Sequence, residues 1–141
     1  MESMQCYSVR RSRQISVFLD NRPGALGRLT DALGEHGVNI YALSVSEGID
    51  HGYVRVVPDR PDEALEVLRR LDYLAYEREV LLLEISNTPG ALGSVAKRWG
   101  DLGVNVEYAY CAGGPDVDRG LIAVMAEPIE RAEQAAREMI G

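Results

Sequence analysis

The sequence predicts an α+β fold: two ferredoxin-like βαββαβ units in tandem, each an antiparallel sheet with helices on one face. The second unit lacks a C-terminal strand of its own. Three observations lead there. The first is an internal repeat. Asn21-Arg22-Pro23-Gly24-Ala25-Leu26-Gly27 returns as Asn87-Thr88-Pro89-Gly90-Ala91-Leu92-Gly93, 66 residues later. Gly34 returns as Gly100, and Gly37-Val38-Asn39-Ile40 as Gly103-Val104-Asn105-Val106, at the same offset. Two copies of a unit this long make two small domains rather than a solenoid. The second observation is the switch, within each copy, between β-rich runs and leucines at helical spacing. The third is that the chain stops at Gly141, directly after the second helix of copy two.

The elements follow in order. Ile15 to Asp20 and Leu81 to Ser86 read as first strands that end at the NxPG turn. Leu26, Leu29 and Leu33, and Leu92, Val95, Trp99 and Leu102, mark helices that Pro23 and Pro89 are expected to open and Gly37 and Gly103 to end. Second strands run from Asn39 to Val45 and from Asn105 to Cys111. A turn at Glu47 to Gly52 and a longer one at Ala112 to Gly120 lead to third strands at Tyr53 to Val57 and Leu121 to Met125. Pro61 and Pro128 open the second helices. Copy one continues into a fourth strand, Leu74 to Val80. The vacant fourth place in copy two calls for a cover, and the β-prone Met4 to Val9 is expected to supply it, in its own chain or in a dimer mate. The domains expected are an N-terminal extension at 1–12 and units at 13–79 and 80–141. Apolar residues nearly continuous along the second strand predict a sheet covered on both faces, by the units packing on each other or by a homodimer; the homodimer is the expectation.

Composition narrows the function. The 141 residues are 46% hydrophobic and 26% charged, which suits a globular protein rather than a disordered one. Fifteen basic residues against 22 acidic give a net charge of −7, which disfavours nucleic acid and anionic membrane as partners. Nothing approaches the run of about 18 apolar residues that spans a bilayer, and the N-terminus has no signal-peptide apolar stretch. The two cysteines, Cys6 and Cys111, read as free thiols, consistent with a cytoplasmic location.

The segments ISVFLDNRPGALGRLTDALGEHGVNI and LLLEISNTPGALGSVAKRWGDLGVNV each resemble the ACT domain, a small ligand-binding module of amino-acid metabolism. The resemblance covers residues 13 to 140. It implies that units pair and that an amino acid sits at the interface between them. Its contacts would come from the loop after the first strand and from the start of the second. Carried onto this chain, the site residues are Asp20, Asn21, Arg22, Pro23, Gly24, Ala25 and Leu26 with Asn39 and Ile40, and Thr88, Pro89, Gly90, Ala91 and Leu92 beside Asn87, with Asn105 and Val106.

The chemistry suits a zwitterion. A helix N-terminus offers amides to a carboxylate, the asparagine amide meets either end of an amino acid, and Asp20 can meet an ammonium group. Capping and tight-turn roles are the alternative for the asparagines. Each pair, Asn21 with Asn39 and Asn87 with Asn105, is expected at one edge of its unit. The histidine that serine-binding versions carry two residues before the loop asparagine is replaced by Leu19 and Ile85, which points to a less polar pocket.

No catalytic, metal or cofactor motif is found. His36 reads as a helix end and His51 as part of a turn. Asp116 and Asp118 lack the later acidic ligand of a calcium loop. Arg10, Arg11 and Arg13 read as a solvated tail, Trp99 as packing in the place of Leu33, and Tyr108 and Tyr110 as core or pocket wall. The reading is a non-catalytic regulatory protein that binds a small amino acid or related metabolite, with no cofactor. The alternative is an accessory subunit of an amino-acid biosynthetic enzyme, since the first copy also resembles the ACT unit of acetolactate synthase regulatory subunits.

Overall fold

The computed structural model describes residues 6–46 and 51–140. Glu47 to Asp50 of the expected turn, and Met4 and Gln5 of the N-terminal segment, lie outside the described residues. The elements are β1 (Cys6–Asp20), α1 (Ala25–Glu35), β2 (Ile40–Ser46), β3 (His51–Pro58), α2 (Pro61–Arg70), β4 (Ala75–Ser86), α3 (Ala91–Asp101), β5 (Asn105–Ala112), β6 (Arg119–Glu127) and α4 (Ile129–Glu138). The βαββαβ pattern occurs twice. The chain forms two compact units, Arg13–Arg78 and Met1–Ser12 with Glu79–Gly141. Both long strands are divided between them: β1 gives residues 13–20 to the first unit and 6–12 to the second, and β4 gives 75–78 to the first and 79–86 to the second.

In the first unit the strands lie in the order β2-β3-β1-β4. Ile15, Val17 and Leu19 alternate along β1 and, with Val54 and Val56 of β3, pack against Leu29 and Leu33 of α1 and Ala64 and Leu68 of α2. Both helices end or begin on local signals. Gly37, at φ +74°, closes α1 as the Val38 amide donates to Leu33 O at 3.0 Å and the Gly37 amide to Gly34 O at 3.0 Å, a Schellman motif. Pro61 starts α2, with Asp62 and Glu63 in its first turn and Arg69 and Arg70 in its last, each suited to the helix dipole.

In the second unit the order is β1-β4-β6-β5. Leu81, Leu83 and Ile85 of β4 and Ile122, Val124 and Ala126 of β6 face Val95 and Trp99 of α3 and Ala132, Ala135 and Ala136 of α4. Trp99 stands where Leu33 stands in the first unit, and small side chains opposite make room for it. Its indole Nε1 donates to Ala132 O at 3.0 Å, satisfying the polar atom that comes with the ring.

Residues 6–12 lie beside residues 79–86, in the place that residues 75–78 take beside β1 in the first unit. Cys6 and Val9 are part of this core. Ser8 Oγ donates to Glu84 Oε1 at 3.0 Å, and Cys6 forms a parallel bridge with Ile140 at the end of the chain. Burial pushes the Cys6 thiol pKa up, and both cysteines are free, Cys111 on the surface.

The basic run is not a solvated tail. It lies within β1, where Arg11 meets Glu79 at 3.3 Å and Glu133 at 2.8 Å, and Arg13 meets Asp62 at 2.8 Å and also pairs with Glu77. A strand places alternate side chains on one face, so Arg11 and Arg13 reach acids on a neighbouring strand and helix. On the strand face opposite the helices, Gln14 and Ser16 are buried in the first unit and Leu82, Ala123 and Met125 in the second.

Two predictions arise. We propose that residues 6–12 are a structural strand, so deleting residues 2–10 should lower the melting temperature measured by circular dichroism, loss of Val9 alone accounting for about 1.5–3 kcal/mol. An unchanged melting temperature and solubility would make the segment a tail. The second concerns Glu133, whose carboxyl is held below the usual carboxylate range by hydrogen bonds from Arg137 and then Arg11. A carboxylate with a lowered folded-state pKa stabilises above its unfolded value, and that stability is lost as pH falls through the folded value. Glu133→Gln should therefore cost up to about 1 kcal/mol near neutral pH. The gap to the parent protein should close in acid, as read from urea melts at pH 7 and pH 3.

Candidate functional site

The site begins with a turn. After β1 the chain reads Arg22-Pro23-Gly24-Ala25, and the Ala25 amide donates to Arg22 O at 3.3 Å. Gly24 has φ +85° and ψ −11°. Proline followed by a left-handed glycine is a type II turn, in which the third residue must take positive φ. Thr88-Pro89-Gly90-Ala91 repeats it, with Gly90 at φ +87° and ψ −11° and a bond of 3.2 Å. The prolines thus set the turn rather than the first helical position, and glycine, not asparagine, is the N-cap of α1 and α3. Neither helix has a side-chain cap or an acidic residue in its first turn.

In the first unit the turn borders an open cleft of about 590 Å³. Leu19 and Val54 form its floor, and Val45, Ala25 and Leu26 its apolar walls. Asp20, Asn21, Arg22, Ser46 and Gly52 complete the lining. Val45 is 55% exposed and Leu26 37%, so apolar surface faces solvent here. Arg22 meets Asp20 at 3.0 Å, both side chains more than half exposed. A second hollow of about 430 Å³ shares Leu19, Asp20, Arg22 and Ala25 and extends toward Arg28, Leu71 and Leu74.

Of the expected residues, Asp20, Asn21, Arg22, Ala25 and Leu26 therefore converge on one cleft. Asn39 and Ile40 do not join them. Both β1 and β2 run antiparallel to β3, so they are parallel to each other. The end of β1 (Asp20 opposite His51) lies near the end of β2 (Ser46 opposite Tyr53), whereas Ile40 pairs with Pro58 at the far end. A strand-helix-strand crossover returns the chain to the opposite edge before the next parallel strand starts. Asn39 serves locally instead: its amide donates to Asp59 Oδ1 at 2.8 Å and its carbonyl accepts from the Asp59 amide at 2.9 Å. The same correction applies to Asn105 and Val106, which pair with Glu127 and Ala126, far from Ser86 opposite Arg119. The residues missed were Val45, Ser46, Gly52 and Val54; the parallel relation of first and second strands was the signal that places them.

The second unit treats its copy differently. Asn87 Nδ2 donates to Gly114 O and Val117 O, both at 2.9 Å, and its backbone amide donates to Asp118 O at 2.9 Å. Asn87 thus fastens the β5–β6 loop. Ser86 Oγ and Thr88 Oγ1 are hydrogen-bonded to each other at 2.9 Å. Asp118 holds this loop through its carbonyl, and no cluster of metal-ligating side chains occurs among the described residues. His36 caps the end of α1, its Nδ1 2.8 Å from Ala32 O.

Comparison with known proteins agrees with this architecture. A family model described as an ACT domain pair matches residues 11–138. The chain belongs to the ACT domain family. Among solved structures, this ACT pair is similar to protein BT0572 from Bacteroides thetaiotaomicron, with a TM-score of 0.85 and 25% identity over 92% of this chain and 89% of that one. It is also similar in fold to the regulatory subunit of aspartate kinase from Thermus thermophilus in a ligand-free form, with a TM-score of 0.75 and 19% identity over 99% of this chain and all of that one. E. coli aspartokinase III in complex with lysine and aspartate aligns with a TM-score of 0.57 and 12% identity over 98% of this chain but 34% of its own. No curated protein sequence matches. Among the described residues of this ACT pair, no helix is long and apolar enough to cross a membrane.

The two turns give a matched prediction. A Cβ on Gly24 meets only the mobile end of Arg28, Nη1 at 2.9 Å, and one on Gly90 meets nothing within 4 Å. Left-handed strain is then the main cost at both, roughly 1–2 kcal/mol. Gly24→Ala and Gly90→Ala should lower stability by similar amounts in chemical denaturation; a neutral effect at either would show that the turn relaxes to another type.

Proposed function

We propose that this ACT pair is a regulatory module that binds a small amino acid or related metabolite, and that a partner protein of amino-acid metabolism reads the occupancy. The carrying observation is the first-unit cleft, where the turn of the family's repeated motif brings a carboxylate, a guanidinium and an asparagine to the rim of an apolar hollow. Opposite charges beside an apolar floor complement a zwitterion with a side chain. Likeness of fold to aspartate kinase regulatory subunits supports a regulatory rather than a catalytic role. Regulation then follows by linkage: a ligand that favours one arrangement shifts the population toward it, and the partner senses that arrangement. The cleft lies against β2, which is an edge strand with Tyr41 and Val45 exposed. We infer that a second copy beside this edge closes the cleft and makes the working form a homodimer.

Thermal shift with each of the twenty amino acids tests the reading. A ligand at 100 times its Kd should stabilise by roughly 2.7 kcal/mol, a rise of several degrees. No rise with any of them removes the reading. Light scattering with and without that ligand should report a dimer; a monomer under both conditions removes the homodimer.

A further inference from the structure

We propose that the first unit carries a nucleotide site on the sheet face that turns away from its helices, where Phe18, Tyr53 and Tyr76 stack a purine base and Arg55 and Arg78 meet its phosphates. The cleft floor, Leu19 and Val54, belongs to the other face of the same strands. The proposal is independent of the amino-acid-binding reading.

Alternate residues of a strand share a face, so Phe18 lies with Gln14 and Ser16 on the side opposite α1 and α2. Phe18 pairs directly with Tyr53 across β1 and β3, the two central strands of this unit, with ring centroids 4.5 Å apart. Tyr76 of β4 meets Phe18 edge-on at 6.1 Å and is hydrogen-bonded to Tyr53. Three rings on three adjacent strands thus form one aromatic surface. Phe18 is half-buried, while Tyr53 is 39% and Tyr76 41% exposed. The fold does not require these rings. At the corresponding pair of the second unit Glu84 stands opposite Leu121, and Glu84 accepts a hydrogen bond from Ser8. Exposed apolar surface that packing does not demand marks a binding surface. Aromatic rings on the face of a four-stranded sheet stack bases in this way.

The charges select an anion. Arg55 follows Tyr53 by two residues and Arg78 follows Tyr76 by two, so each arginine stands on the face of its ring. Gln14, Ser16, Ala42, Ser44 and Val57 on the same face are uncharged, and Asp20, at the end of β1, is paired with Arg22. Arg55 and Arg78 also interact within the protein, and a guanidinium with five N–H donors serves a phosphate beside an existing partner. Neighbouring strands are about 4.8 Å apart, so a bicyclic purine reaches two of the rings and a pyrimidine one. The net charge of −7 limits the ligand to a mononucleotide, because a longer strand sets further phosphates against a negative protein.

Isothermal titration with ATP, CTP, adenosine, inorganic phosphate and a short oligoadenylate tests the site. ATP should bind saturably and more tightly than each of the others. Its base protons should move upfield in the NMR spectrum on binding to the parent protein, as stacking on rings requires. Tyr53→Leu and Tyr76→Leu keep apolar area but remove a ring, and each should weaken ATP by about ten-fold. Arg55→Gln should weaken ATP and leave adenosine unchanged. Circular dichroism checks that the variants are folded, and the NMR result on the parent protein stands without them. No saturable ATP binding, no upfield shift, or ATP bound as tightly by the folded tyrosine variants overturns the proposal. Phosphate bound as tightly as ATP overturns stacking, and CTP bound as tightly overturns the purine. Oligoadenylate bound more tightly than ATP overturns the mononucleotide in favour of single-stranded RNA.

Discussion

The Pro-Gly turn between the first strand and first helix of each repeat is the constraint on which the rest depends. Proline holds one backbone angle, and the left-handed glycine after it bends the chain back within four residues. The bend aims α1 and α3 down their sheets, which brings Leu29 and Leu33, or Val95 and Trp99, against the strands. It also ends the strand abruptly, so the two residues before the proline stay at the rim instead of continuing the sheet. In the first unit those residues, with Asp20, line the cleft.

The two repeats show how one backbone device supports different uses. Around the same turn, the first unit keeps a carboxylate and a guanidinium at the rim, and the second has two hydroxyls bonded to each other. The loop between β5 and β6 folds back far enough for Asn87 to hold it by three hydrogen bonds. Asparagine is well suited to this because its amide carries two donors on one short side chain. The cores diverge as well, with an indole against alanines in one unit and leucines on both helices in the other.

Much of the fold was legible because it is written locally. Strand alternation, helical leucine spacing and the Schellman glycines each act over a few residues, so the helices and the order of elements were identified, while the first strand was begun nine residues late and β4 was read as two adjoining strands. The strands were longer than expected, above all β1, because pairing with a neighbour extends a strand beyond what its own side chains advertise. The arginines at 11 and 13 looked like a tail for the same reason: their partners, Glu79, Glu133, Glu77 and Asp62, are distant in sequence.

The sequence by itself determined the duplication, the order of elements, the turn at each NxPG and the half of the cleft that this turn carries. Those follow from backbone preferences and apolar periodicity, which are properties of neighbours along the chain. Only the tertiary structure decided which residues complete the cleft. Asn39, just before β2, and Asn105, the first residue of β5, matched the expected pattern yet lie at the opposite edge of their units, while Val45, Ser46, Gly52 and Val54 carry no motif and line the first unit's cleft. The same holds for Asn21 and Asn87, which hold the same place in the two NxPG motifs. Asn21 lines a cleft and Asn87 clasps a loop, and both roles depend on what the fold brings near the side chain rather than on the motif.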